Sequence, residues 1–335
     1  MSHGEQLEKL IARTGRADSS AVRRILECAV REGEAALLLE LPAPNSELAR
    51  RIGVGEEVIE SKVLDLARRG LVVPCEAGMR FPDLEALHDS ILSSAPSCLP
   101  EEIDEHWTAL YEDEGWAVEL ARIRSASGIP GRRTIPVLGS ISSPSDLLPQ
   151  ESIIEIVEAH GALISVRHCA CRTRAENCLH PTDVCIHFGD TAEYDLLRGS
   201  GRKVSAQEAV AVAREAEESG LIPTIANRPD IETLDFICFC CPCCCQTIDP
   251  ASRADAMDKT LAPSRFSARL DLEKCDGCGK CKKVCGVGAF EMVEMIGFDE
   301  PMPILDPQKC LGCGVCVTRC SQEGAMWMEA VRIAV

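Results

Sequence analysis

Apolar residues recur at helical spacing through "SSAVRRILECAVREGEAALLLEL", which predicts amphipathic helices at the start of the chain. "NSELARRIGV" predicts a further helix, capped by Asn45 or Ser46 and stopped at Gly53. "GEEVIESKVLDLARRG" predicts another, with Val58, Val63, Leu64 and Ala67 on one face and Gly70 beyond its end. "LVVPCEAGMRFP" predicts two short strands turning at Glu76-Ala77-Gly78. Residues 91–144 are polar and acidic, with a helix in "EEIDEHWTALYEDEGW" and then a Gly-, Pro- and Ser-rich linker. Over residues 145–258 the period alternates between helix and strand. "PQESIIEIVEAHG" and "SAQEAVAVAREAEESG" predict helices, the latter with Ser205 and Glu208 at capping-box spacing and Gly220 as its stop. "ALISVRHCAC", "LIPTIAN" and "ETLDFICFCC" predict strands. Both cysteine arrays of this region follow a strand end. In an open α/β sheet such ends share one crevice, which would bring Cys169 and Cys171 near the run 238–245.

The last part of the chain, residues 259–335, holds an internal repeat. "LEKCDGCGKCKKVCGVGAFEM" and "PQKCLGCGVCVTRCSQEGAMWM" match at four cysteines, at Gly277/Gly312 and at Gly279/Gly314. Each copy reads C-x₂-C-x₂-C-x₃-C. Three thiolates on so tight a loop reach three irons of one cube, and the fourth, a helical turn later, points away. One C-x₂-C alone would equally suit zinc; two complete copies point to iron–sulfur clusters.

The chain is 335 residues long with 21 cysteines, 46% hydrophobic residues but only 4% aromatic, so aliphatic side chains must fill its core. A formal net charge of −18 argues against broad binding to nucleic acid or an anionic membrane and suits an acidic electron carrier meeting a basic patch. The N-terminal residues lack the apolar core of a secretory signal, and no long apolar run suggests membrane insertion. A cytoplasmic location is expected, where clustered thiols bind metal or do redox chemistry. No P-loop is present, and "GSGR" at 199–202 is too short for a dinucleotide fingerprint.

The middle region carries Cys169, Cys171, Cys178 and Cys185, then Cys238, Cys240, Cys241, Cys243, Cys244 and Cys245. These ten exceed by two the needs of a pair of cubanes. Neighbours such as Cys240 and Cys241 face opposite sides of an extended chain, and Pro242 stiffens the turn between the two halves of the run. The run is therefore expected to form a shared wall between metal sites. Further iron–sulfur ligation, one or two clusters, is the first reading; a structural zinc site and a reactive dithiol relay stay open. His168, His180 and His187 are expected beside the ligands rather than among them. Cys28, Cys75 and Cys98 stand alone and are expected as small buried residues.

The repeat resembles the bacterial two-cluster ferredoxin domain. That resemblance implies one 4Fe–4S cluster on Cys275, Cys278, Cys281 and Cys320, and a second on Cys310, Cys313, Cys316 and Cys285. Gly286 and Ser321 stand where such domains usually have proline, which adds a backbone N–H at each place and would raise the potentials. Residues 1–90 resemble a winged helix-turn-helix. Its second helix begins with acidic residues, however, and sixteen acidic against twelve basic residues leave no basic footprint for DNA. Docking or homodimerisation is the preferred role. With "HCACR", "FGDTAEY", "RGSGRKVSAQEA", "ESGLI" and "CFCCPCCC", the whole chain resembles a group of 4Fe–4S dicluster proteins of anaerobes. The fold class implied is multidomain α+β: a winged-helix-like domain (1–90), an acidic helix and linker (91–144), a Cys-rich α/β domain (145–258) and a two-cluster ferredoxin-like domain (259–335). The function implied is electron transfer, as a protein or subunit of an anaerobic oxidoreductase complex with a redox partner protein. A redox-sensing regulator and a catalytic subunit with an unusual middle cluster are the alternatives.

Overall fold

Leu7, Leu10 and Ile11 fall on one face of the helix His3–Arg13 and start a core that the following helices complete. The computed structural model describes residues 2–95 and 98–331. Helices Ser20–Ala29, Glu34–Glu40, Asn45–Ile52 and Glu56–Arg68 lead into an antiparallel hairpin, Val73–Cys75 with Gly78–Arg80. The N-cap of Asn45–Ile52 is Pro44, one residue earlier than the sequence suggests, and Gly53 ends it in the left-handed conformation. Only a glycine takes up that φ of 79° without strain.

Three more helices, Leu84–Leu92, Ile103–Glu112 and Trp116–Ser125, pack into the same core. Ile103, Trp107, Leu110 and Tyr111 recur at helical spacing and are buried, while Glu105 and Glu112 face solvent. The helix expected in this acidic stretch is present, and Glu101 and Glu102 before it are exposed as well. His88 sits between Trp107 and Trp116, with ring centroids 5.0 and 5.4 Å away.

The middle of the chain is built on a seven-stranded sheet. Its strands run, edge to edge, Gly201–Val204, Ile164–Arg167, Cys185–Phe188, Phe236–Cys240, Ile222–Ala226, Arg132–Thr134 and Leu261–Ala262. Every pairing is antiparallel except the last, which is parallel. The open α/β arrangement expected from the sequence is therefore replaced by an antiparallel ladder. The cysteines are gathered by register instead: Arg167 pairs with Cys185, Ile186 with Ile237, and Thr224 with Cys238. Two strands run out of the sheet, at Arg167 and Cys240, at the end where Cys185 runs in. Helices Ile153–Ala159 and Ala206–Glu218 join the sheet in one core, where Ile156, Val157, Ala209 and Ala213 pack with Ile164, Val166, Ile186 and Phe239. Ser205 and Glu208 form the expected capping box. Strand Arg132–Thr134 arises from the Gly- and Pro-rich stretch that reads as linker in the sequence.

The tail has two small antiparallel sheets. Phe266–Leu270 pairs with Met326–Ala330, and Phe290–Val293 with Met302–Leu305. Short helices Lys280–Val284 and Val315–Thr318 occupy equivalent places in the two repeats. The molecule is thus mixed α and β with a ferredoxin-like unit at its end. No helix among the described residues is long and apolar enough to cross a membrane.

Candidate metal centres

In each tail repeat the cysteine loop turns through two glycines in the left-handed region, Gly277 and Gly279 in the first, Gly312 and Gly314 in the second. Cys285, Cys310, Cys313 and Cys316 line one apolar pocket with Phe290, Leu311 and Met328. Burial pushes the Cys313 thiol up to about 12, and Cys285 and Cys310 add to it. Burial likewise raises Cys316, whose sulfur neighbours include Cys285. Cys285 thus lines the same pocket as the three leading cysteines of the second motif. Cys281, pushed up to about 11 by burial, has Cys275 and Cys278 as neighbours. Cys320 Sγ lies 3.6 Å from Gln322 O, and Gln322 Nε2 donates to Asp276 Oδ2 at 2.8 Å, which ties this end of the second repeat to the first loop. Thiols raised this far stay protonated without a cation to draw off the proton. Four thiols around one apolar pocket are the donor set a cubane takes, one thiolate per iron.

The ten middle cysteines fall into two groups. Cys238 and Cys240 share one side of their strand and Cys241 takes the other. In the first group, Cys245 Sγ donates to Cys240 Sγ at 3.3 Å. Cys169 is hydrogen-bonded to Cys171 and Cys185, Cys171 to Cys245, and Cys185 to Cys238, all as free thiols. Six thiols therefore follow one another around a cavity of 520 Å³, which Cys241 and Cys244 also line, together with Arg132, Arg167 and Arg172. Arg132 Nη1 donates to Cys238 Sγ at 3.3 Å, with its guanidinium 4.5 Å from the Phe236 ring centroid. A hydrogen bond from Cys185, with Arg132 behind it, draws Cys238 down to about 6 despite its burial. Arg172 donates to Pro181 O at 2.6 Å and Phe239 O at 2.5 Å. Arg167 donates to Asp89 Oδ2 at 2.7 Å.

The second group is Cys178, Cys241, Cys243 and Cys244, whose sulfurs all lie within 4.8 Å of one another. Of the nearby histidines, His168 Nε2 meets Leu92 O at 2.9 Å and His187 Nδ1 meets Asp195 Oδ2 at 2.7 Å. Cys28, Cys75 and Cys98 are partly exposed rather than buried. The three arginines around the cavity escaped the sequence reading. Arg172 sits in the "HCACR" string, but Arg132 lies in the supposed linker and carries no local signal.

The second tail loop meets the six-thiol group directly. Leu311 and Cys313 share one apolar cluster with Cys240, Cys245, Ile222, Ile248 and Leu261. Val137 N–H donates to Cys313 O and Ser264 N–H to Leu311 O, both at 2.9 Å. Ser264 Oγ donates to Gly312 O at 2.7 Å.

The 4Fe-4S dicluster domain family matches residues 274–323, the span of the repeat. No curated protein matches the chain. No solved structure matches it either. The domain match and the density of cysteines define an iron–sulfur protein and support a role in electron transfer.

Proposed function

We propose that the protein passes single electrons as a component of an oxidoreductase complex in anaerobic metabolism. When bound, 4Fe–4S clusters supply reversible one-electron redox chemistry. Cys275, Cys278, Cys281 and Cys320 would hold one, and Cys310, Cys313, Cys316 and Cys285 the other. The six-thiol group of the middle domain would hold a further iron–sulfur centre. The observation that carries this reading is the shared apolar cluster of Cys313 and Leu311 with Cys240 and Cys245. It sets the second tail motif against the middle group across apolar packing. The test is a reductive titration of the full chain followed by EPR. Magnetic interaction between the middle centre and the second tail cluster is expected, and Cys313→Ser should abolish it. A middle centre that stays silent and oxidised while both tail clusters reduce would overturn the reading.

A second reading, a catalytic subunit, is favoured by the 520 Å³ cavity beside the six thiols. Arg132, Arg167 and Arg172 line it together with Asp83, Glu85, Asp89 and Asp235, so a small polar substrate would meet charge of both signs. Changes in the spectrum of the middle centre on adding small polar molecules would support it.

The N-terminal helices and hairpin follow a winged-helix-like order, and the role proposed for them is docking to a protein partner or to a second copy. Ile52, Val54 and Val58 are exposed around the turn between the last two helices of that motif. Glu56 and Glu57 occupy the first turn of the second. Apolar and acidic groups at that corner suit a protein surface better than phosphates.

A further inference from the structure

Cys178, Cys241, Cys243 and Cys244 converge more tightly than any other set of three or more cysteine, histidine or acidic side chains among the described residues. The Cys178–Cys244, Cys243–Cys244 and Cys178–Cys241 sulfur pairs are 3.6, 3.7 and 3.8 Å apart. A single ion about 2.3 Å from each of four thiolates holds them about 3.8 Å apart, at the corners of a regular tetrahedron. A cubane takes each thiolate on a different iron and spreads the four sulfurs over a larger tetrahedron. No three of the tail cysteines, and no three of the six around the cavity, meet within the 4.8 Å that encloses this set. We propose that Cys178, Cys241, Cys243 and Cys244 bind one zinc ion in a closed tetrathiolate site, separate from the iron–sulfur centres.

The backbone around the four sulfurs is arranged to hold such an ion. Three donors come from one tight turn, closed by Cys245 N–H to Cys241 O at 3.0 Å. The fourth, Cys178, comes from the loop after helix Ala170–Ala175, where Glu176 adopts φ 47° and redirects the chain. Asn177 Nδ2 donates to Cys243 O at 3.0 Å and ties the loop to the turn. The backbone N–H of His180 points at the Cys178 sulfur and that of Asn177 at the Cys244 sulfur. Such N–H···S contacts fix ligand orientation and share the thiolate charge. Four thiolates on a divalent ion leave a net negative charge, and the Arg172 guanidinium is close enough to act on Cys241. Four protein ligands leave no open position, so the site is structural rather than catalytic. Zinc has no accessible second oxidation state, so this site is a clamp beside the electron path and not a step on it.

The test uses the full chain, purified without oxygen. One zinc per chain is expected alongside the iron. Protein grown with cobalt should show the visible absorption of tetrahedral cobalt–thiolate. Cys243 is exposed and so a mild place to substitute. Cys243→Ser and Cys178→Ser should lose the zinc with iron and sulfide unchanged, and Cys243→His should retain it. The tail-cluster EPR signals should persist in all three, which separates this proposal from the electron-transfer reading. Absence of zinc from the unsubstituted chain, or loss of iron and sulfide rather than zinc from Cys243→Ser, would overturn it. So would a single iron in place of the zinc.

Discussion

A Cβ added to Gly286 would stand 2.2 Å from Pro242 Cγ. The turn that carries Cys241, Cys243 and Cys244 is thus seated on the residue that follows Cys285. Gly286 has ordinary backbone dihedrals, so contact and not conformation is what demands the glycine. It also explains why the proline usual after the fourth cysteine of such a motif is missing here.

Gly286→Ala should therefore destabilise the chain by about 1–3 kcal/mol, the usual cost of an overpacked contact. Gly286→Pro should cost more. Urea unfolding of the metal-loaded variants measures this. A Gly286→Ala variant as stable as the parent would show that the turn yields freely.

The grouping of Cys285 with Cys310, Cys313 and Cys316 predicts which cluster each fourth cysteine serves. Cys320→Ser should perturb the signal that Cys278→Ser perturbs, and Cys285→Ser the signal that Cys313→Ser perturbs. EPR of the four variants assigns the pairs. If Cys320→Ser instead reproduced the Cys313→Ser spectrum, each motif would be self-contained.

Arg132 gives the Cys238 sulfur a charged N–H donor at 3.3 Å. Donors and positive charge near cluster sulfurs favour the reduced, more negative state. Arg132→Met should lower the potential of the middle centre, with Arg132→Lys falling between variant and parent. Both tail potentials should shift less. A redox titration reads all three, and an unchanged middle potential would remove Arg132 from the centre's surroundings.

Glu217 offers a pH test of the same neighbourhood. Its two carboxylate oxygens accept the Leu138 N–H at 3.0 Å, and Leu138 follows Val137, whose own N–H holds Cys313 O. Burial raises its pKa from 4.5 to about 8. Below pH 4.5 the group is protonated whether folded or unfolded. Between 4.5 and about 8 only the folded state keeps the proton, so its contribution to stability is lost as pH rises through that window and is level above it. Glu217→Gln keeps an acceptor for Leu138 and should flatten this part of the stability profile. Urea midpoints at several pH values check it; equal slopes in variant and parent would exclude Glu217 as the titrating group.

The tail repeat and the N-terminal helices were legible because their signals are local: cysteine spacing in one, apolar period and stop glycines in the other. The split of the 238–245 run could be read in part from alternation, which separates Cys240 from Cys241. It could not show that Cys245 rejoins Cys240, because that depends on how the turn after Pro242 reverses. Nor could it show Cys178 leaving Cys169, Cys171 and Cys185, which depends on the bend at Glu176. Strand Arg132–Thr134 was hidden between Gly131 and Pro136, and only three residues long it has no period to detect. With it went Arg132 and the Val137 contact. The antiparallel sheet was missed because alternating helix and strand periods read alike in parallel and antiparallel folds, and only long-range register separates them.

Leu261–Ala262 lies just before the repeat in the chain, yet in space it is an edge strand beside Arg132–Thr134. The ferredoxin-like unit is therefore not a detachable cartridge. A graft that began at the first cysteine motif would leave behind the strand and Ser264, which hold Leu311 and Gly312 in place. A middle domain cut at the same point would keep its border strand but lose Leu311 and Cys313, which pack with Ile222 and Ile248. The two halves share a seam of backbone, so the loop that carries Cys313 is held in part by residues outside its own repeat.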